Sequence, residues 1–240
     1  MTTKEKMNPN KTARIAGFLY LMLLPLGIFG IMYIPSLIVP GDATATANNI
    51  VASESLFRLS IVSALILQTV NILVVLLFYK LLKVVNKNHA VLMVVFFLVS
   101  VPITMLNELN QFAALLLSSG ADYLTGFTAD QLQALVPLFL NLHEYGILIA
   151  MIFWGLWLFP MGYLVFKSGF LPRILGVLLM IACFGYLITS FGSLLLPNFG
   201  ATIIATIIGF TFYGEMFLAL WLLIKGVNVE EWEKRALESA

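Results

Sequence analysis

Residues 93–117 read MVVFFLVSVPITMLNELNQFAALLL, a stretch in which Glu108 is the only charged side chain. A soluble core has no place for a run of this length. About 20 apolar residues make one helical crossing of a bilayer, so the stretch predicts a spanning helix, and its polar LNELNQ interruption (106–111) needs a reason to be there. The composition says the same of the whole chain: 10% of residues are charged and 61% hydrophobic, against about 25% charged in ordinary soluble domains. The mean hydropathy is +1.00. The fold class expected is all-α, a polytopic six-transmembrane-helix bundle.

Apolar stretches at about 14–39, 57–83, 90–118, 132–166, 172–195 and 200–225 give six spans. With short connectors they use nearly all of the chain, so residues 1–240 are expected to form a single transmembrane domain. Lys4, Lys6, Lys11 and Arg14 precede the first stretch and ATATA (43–47) resembles a cleavage site. The apolar region is nevertheless longer than the roughly 7–15 residues of a signal peptide, and an uncleaved first span is expected.

Orientation follows from the positive charges. With the N-terminus in the cytoplasm, the inner segments hold Lys4, Lys6, Lys11, Arg14, Lys80, Lys83, Lys87, Lys167, Arg173, Lys225, Lys234 and Arg235, leaving Arg58 outside; the chain has 13 Lys and Arg in all. Both termini are therefore expected in the cytoplasm, in a multi-pass membrane protein. Asp42, Glu54, Asp122 and Asp130 fall in the two larger outer loops.

Local signals fit these limits. Thr12 is expected to cap the first helix, and TADQ (128–131) reads as a capping box at the start of the fourth. In KSGFLPR (167–173), Gly169 suits a helix end and Pro172 the first turn of the next helix. Arg173 should be exposed there, as an anchor. Pro25, Pro102, Pro137 and Pro160 are candidate kinks. The tail VNVEEWEKRALESA (227–240) reads as a solvated helix end, and His89 as a solvated loop residue.

The stretch MGYLVFKSGFLPRILGVLLMIACFGYLI (161–188) resembles the signature segment of a bacterial family of small integral membrane proteins, domain-of-unknown-function family 4386. RIAGFLYLMLLPLGIFG (14–30) is similar to that family's opening span, and the likeness covers essentially the whole chain. What the resemblance implies is a six-helix bundle in a bacterial cytoplasmic membrane. The family carries no agreed activity, so it implies no catalytic residue.

The polar interruption explains itself on a helical wheel. Ser100, Thr104, Asn107, Glu108, Gln111 and Ser118 share an arc of about 100° on one helix, with Asn110 about 60° outside it. A charged side chain at mid-membrane costs about 2.5–3.5 kcal/mol even on insertion scales, so the stripe must face the bundle interior or a wet cavity. Gln68 and Asn71 share a face of the second span with Ser60 and Ala64. Asn141, Glu144 and Tyr145 share a face of the fourth, with His143 about 160° from Asn141. Thr211 and Glu215 share a face of the sixth. Ala182, Gly185, Thr189, Gly192 and Ser193 give the fifth a small face suited to close helix packing.

Ligand-binding or proton-exchanging candidates are Glu108, Glu144, Asn107, Gln111, Asn141, His143, Tyr145, Glu215, Asn71 and Gln68. Facing Glu108 and Glu144 carboxylates in the outer half would share a proton. His143 by itself reads as a satisfied interior histidine, and Gln68 and Asn71 as interhelical hydrogen-bonding groups. No metal site is expected, because His143 and the carboxylates do not converge. Two histidines near opposite membrane surfaces exclude bis-histidine haem within one chain, and no cofactor is expected. No basic patch with interleaved aromatics points to nucleic acid. The expected partners are membrane lipid and a small amphiphilic ligand. Three functions remain open: binding or transport of such a molecule, an intramembrane enzyme acting on a lipid through Glu108, His143 and Glu144, and a non-catalytic accessory subunit.

Overall fold

The structure is a computed structural model and describes residues 7–120, 124–196 and 201–239. The described chain is helical without strands. It runs α1 (Pro9–Met32), a 3₁₀ turn (Ile34–Leu37), α2 (Ala43–Ala52), α3 (Glu54–Leu82), α4 (Lys87–Ser119), α5 (Ala129–Leu156), α6 (Leu158–Ser168), α7 (Arg173–Leu195), α8 (Ala201–Ile224) and α9 (Val229–Glu238). Among the described residues five helical stretches are long and apolar enough to cross a membrane. A sixth is added where Thr211–Ile224 is taken with α9 across a bend of 102°. This is a polytopic helical membrane protein; the five stretches overlap the first five read from hydropathy, and the bent pair starts and ends later than the 200–225 read for the sixth.

The helix boundaries have local causes. The α1 helix begins at Pro9, a residue pre-set for the first helical position, and Asn8 Oδ1 accepts from Lys11 N at 3.0 Å. The cap expected from Thr12 is thus supplied by Asn8, and the Thr12 hydroxyl donates back to the Asn8 carbonyl. The TADQ capping box forms as read: Gln131 N donates to Thr128 Oγ1 at 3.3 Å, and Thr128 N donates to Gln131 Oε1 at 2.9 Å. Gly169 ends α6 with φ +79°, a conformation that costs other residues more. Arg173 is exposed, its guanidinium 5.8 Å from the Phe166 ring centre.

The fourth hydropathic stretch is two helices. Pro160 lacks the N–H that would bond to Leu156, and its ring crowds that carbonyl. The helical bonding is therefore interrupted at Trp157, which keeps φ −71° and ψ −26°, and α6 continues the same Ala129–Ser168 stretch. The loop read as outer coil also differs. Residues 43–52 form α2, capped by Asp42, which accepts from Ala45 N at 2.8 Å, and Thr46, Ala47 and Ile50 are buried.

Packing divides the chain into two compact units. One comprises residues 1–22, 70–100 and 151–240. Within it Tyr20, Phe78, Phe97 and Trp157 stack edge-on or tilted, with ring centres 5.4–6.4 Å apart. Helices α6 and α7 meet at Gly162 and Gly176, where a Cβ on either would lie 2.5–2.6 Å from the other's carbonyl oxygen. The tail is a helix as read, with exposed Glu230, Lys234, Leu237 and Glu238, but Trp232 is buried and its Nε1 donates to the Leu81 carbonyl at 2.9 Å. His89 is half-buried and stacks on Tyr163 at 4.7 Å.

The second unit comprises residues 23–69 and 101–150. Its core gathers Ile34, Ala47, Ile50, Phe57, Ile61, Ala114, Leu115, Val136 and Leu140. Here α1 and α3 touch at Gly30, where a Cβ would lie 2.8 Å from Ala64 N. Ser63 Oγ donates to the Leu26 carbonyl at 3.0 Å, a second link between the same two helices.

Candidate functional site

The polar stripe of α4 is buried: Ser100, Thr104, Asn107, Glu108 and Gln111 are at most 7% exposed, whereas the intervening Leu106 and Leu109 are 65% and 62% exposed. Leucine toward lipid and carboxylate toward protein is the arrangement that the cost of a lipid-facing charge demands.

The side chain that meets this stripe is His143 on α5. Its Nε2 lies 2.9 Å from Gln111 Nε2 and 3.4 Å from Glu108 Oε1. The imidazole has two ways to be satisfied. With Nε2 bare it accepts from the Gln111 amide. With Nε2 protonated it donates to Glu108 Oε1, and the Gln111 amide turned over presents its oxygen. The imidazole tautomer and the orientation of the Gln111 amide therefore set each other with little movement of heavy atoms.

Asn107 fixes the geometry beneath it. Asn107 Nδ2 donates to the His143 carbonyl at 2.8 Å, and Asn110 Nδ2 donates to Asn107 Oδ1 at 2.9 Å. Gly146 sits one turn along α5 from that carbonyl, and a Cβ there would overlap the Asn107 carboxamide. Two buried acceptors are left over: Glu108 Oε2 and Gln111 Oε1 have no hydrogen-bond partner among the described residues.

The expected facing of Glu108 and Glu144 is therefore corrected, since α5 is rotated to turn His143 toward Glu108. Glu144 and Asn141 are exposed and line a separate cleft of about 420 Å³ with the 38–43 segment, Thr46, Pro137 and Leu140. Asn141 Nδ2 donates to the Pro137 carbonyl at 2.8 Å. Tyr145 is 54% exposed and joins neither group. Gln68 is buried, and its Oε1 has no partner among the described residues. In the first unit, Asn71 is half-buried and its Oδ1 likewise has none.

The first unit holds the other acid. Glu215 on α8 accepts from two tyrosines: Tyr20 donates to Oε2, and Tyr186 on α7 donates to Oε1 at 2.9 Å. Both tyrosines were missed as site residues. Tyr20 looks like one more aromatic in an apolar span, and Tyr186 follows Gly185 within the run of small residues on α7. Among the described residues no three His, Cys, Asp or Glu side chains come together as a metal would need.

Three comparisons bear on identity. The family model described as "Domain of unknown function (DUF4386)" matches residues 15–226. An uncharacterized protein from Archaeoglobus fulgidus is 43% identical over 89 residues, 36% of this chain and 51% of that protein. The chain thus covers about half the length of that curated relative. No solved structure matches the chain at a significant level.

Proposed function

The chain belongs to the DUF4386 family, whose description assigns no activity, and from the chemistry of its buried groups we propose that it binds or carries a small or amphiphilic molecule, with Glu108 and His143 as the proton-exchanging pair. One observation carries this reading. Glu108 is 5% exposed and Gln111 2% exposed, yet each keeps an acceptor without a partner among the described residues. Buried polar groups that only hold helices together are paired in the great majority of cases. Two leftover acceptors beside a titratable imidazole suit a site that receives a donor from elsewhere. A second reading rests on the Glu108–His143 contact itself: a carboxylate within reach of an imidazole is an acid/base pair, which a lipid-acting enzyme would use.

Native mass spectrometry of the protein, purified in a non-ionic detergent, tests the binding reading. Wild type should carry an organic molecule in near-stoichiometric amount. Glu108→Gln, which keeps shape and most hydrogen bonds, should lower its occupancy at least tenfold while shifting the melting temperature little. Glu108→Leu that is more stable than wild type and retains the molecule would make the stripe structural and overturn the proposal. Chemical turnover of the bound molecule would favour the enzyme.

The same reading puts the protein in the cytoplasmic membrane with both termini inside, supported by the asymmetry of its 13 basic residues, of which only Arg58 falls outside. In a Cys183→Ala background, single cysteines at Asn48 and Gly126 should react with an impermeant thiol reagent added to intact cells. Cysteines at Asn86 and Ser239 should not. Labelling at Asn86 would reverse the orientation.

A further inference from the structure

The cleft beside Glu144 has no part in the Glu108–His143 cluster, and its lining is chemically one-sided. Ile38, Val39, Pro137 and Leu140 give it apolar walls, and its charged residues are Asp42 and Glu144. Among the described residues no lysine, arginine or histidine lines it. Its volume of about 420 Å³ falls within the range of about 300–1,000 Å³ typical of small-molecule sites.

The wall opposite α5 is built rather than loose. Thr46, 1% exposed, receives a hydrogen bond from Val39 N at 2.9 Å and donates to the Asp42 carbonyl at 2.9 Å. Asp42 Oδ1 caps α2 through Ala45 N, and Gly41 makes the turn with φ +80°. The segment is thus pinned before any ligand arrives, which lowers the ordering cost of binding.

The polar atoms of the cleft are chiefly acceptors. Asp42 spends one carboxylate oxygen on its cap and keeps the other. Asn141 gives one amide N–H to the Pro137 carbonyl and keeps the other together with its Oδ1. Glu144 makes no hydrogen bond or ion pair among the described residues, unlike Glu54, whose charge is met by Arg58 at 2.8 Å. A concave surface carrying two carboxylates on low-dielectric walls concentrates cations and repels anions. The apolar walls favour a cation that brings its own apolar surface over a hydrated inorganic ion.

We propose that this cleft binds a small organic ammonium ion with an apolar body, its charge beside Glu144 and Asp42 and its body against Ile38, Val39, Pro137 and Leu140. The proposal rests on the reading of the chain as a binding protein and adds a second binding surface to it. Its site is the cleft, apart from Glu108.

Benzyltrimethylammonium is a suitable probe, titrated calorimetrically into the full chain held in nanodiscs of zwitterionic phosphatidylcholine. Wild type should bind it saturably, one per chain. Glu144→Gln should weaken binding at least tenfold and Glu144→Lys should abolish it. Asp42→Asn, which keeps a good helix cap, should weaken it roughly threefold to tenfold. Glu54→Gln removes an equal charge outside the cleft and should leave binding within twofold of wild type. Both Glu144 substitutions are at an exposed position, so folded protein is expected from each. Absence of saturable binding, or binding that Glu144→Lys leaves unchanged, overturns the proposal. If Glu108→Gln abolishes probe binding while the Glu144 variants retain it, the cleft is wrong as the site and the binding-protein reading stands. If wild type carries an organic molecule in a Glu108-dependent way yet ignores the probe, the cleft proposal falls and the binding-protein reading stands.

Discussion

Gly176→Val is expected to lower the melting temperature sharply and to cut the yield of folded, monodisperse protein. A Cβ at 176 would lie 2.5 Å from the Gly162 carbonyl oxygen and 2.6 Å from Phe166 N. At Gly162 it would lie 2.6 Å from the Gly176 carbonyl oxygen and 2.9 Å from Met180 N. The obstructing atoms are mainly backbone, so no rotamer change relieves the overlap and α6 must part from α7. The two helices are joined by the hairpin at 169–172 and cannot re-dock elsewhere. Lipid tails are as apolar as the side chains, so spanning helices associate largely through close packing, and small residues permit it. Overpacking costs about 1–3 kcal/mol where side chains can yield; with backbone in the way the loss should reach the upper end or beyond, out of a total of about 5–15 kcal/mol. Gly209→Ala is the contrast, because among the described residues no heavy atom lies within 4 Å of the Cβ it would add. Size-exclusion profiles and thermal unfolding of wild type and the two variants decide the matter. A Gly176→Val protein that melts with wild type would mean the two helices do not meet at this crossing.

This crossing shows what could and could not be read from the sequence. Hydropathy alone placed the spans, because a bilayer imposes a length and a composition on each one. The α4 stripe was legible for the same reason: a carboxylate within an apolar run has one affordable direction, and Glu108 takes it. The capping box at Thr128 and the turn at Gly169 were legible because their chemistry is local. The interruption at Trp157 was less so. Pro160 marked a kink, yet a proline inside a long apolar run is equally compatible with a bent continuous helix.

Partner identities were the part that failed. A helical wheel gives the angles between residues on one helix, not the rotation of its neighbour. It correctly set His143 opposite Asn141 on α5, but the rotation of α5 decides which of the two meets Glu108. The structure chose the histidine, and Glu144 went to the cleft. The tyrosines of Glu215 were missed for a related reason: Tyr20 and Tyr186 come from helices far from Glu215 in sequence, and nothing nearby in the chain marks their hydroxyls as donors to a carboxylate. The fold of residues 43–52 was missed because a ten-residue helix of Ala, Thr and Asn has too little periodicity to stand out from a loop.

The Glu215 triad supports the second large prediction. Glu215→Leu removes the acceptor of both the Tyr20 and Tyr186 hydroxyls, and each buried donor left unpaired costs about 1–3 kcal/mol. A loss of about 2–4 kcal/mol is therefore expected from a substitution that makes the span more apolar. Glu215→Gln should cost less, since its carbamoyl oxygen still accepts from one tyrosine and its N–H can donate to the other. The informative variant is the triple one. With Tyr20→Phe and Tyr186→Phe added to Glu215→Leu, no donor is left without an acceptor, and stability should return to within about 1 kcal/mol of wild type, because replacing all partners of a buried polar group can be nearly neutral. Thermal or denaturant unfolding in one detergent gives the expected order: wild type and the triple variant highest, Glu215→Gln between, Glu215→Leu lowest. Glu215→Leu as stable as wild type would show that the hydroxyls do not depend on this carboxylate. The triple variant also separates structure from function. Protein that folds as well as wild type but has lost ligand occupancy would show that the carboxylate between two tyrosines is kept for what it binds or exchanges, since an apolar trio would then have held the helices equally well.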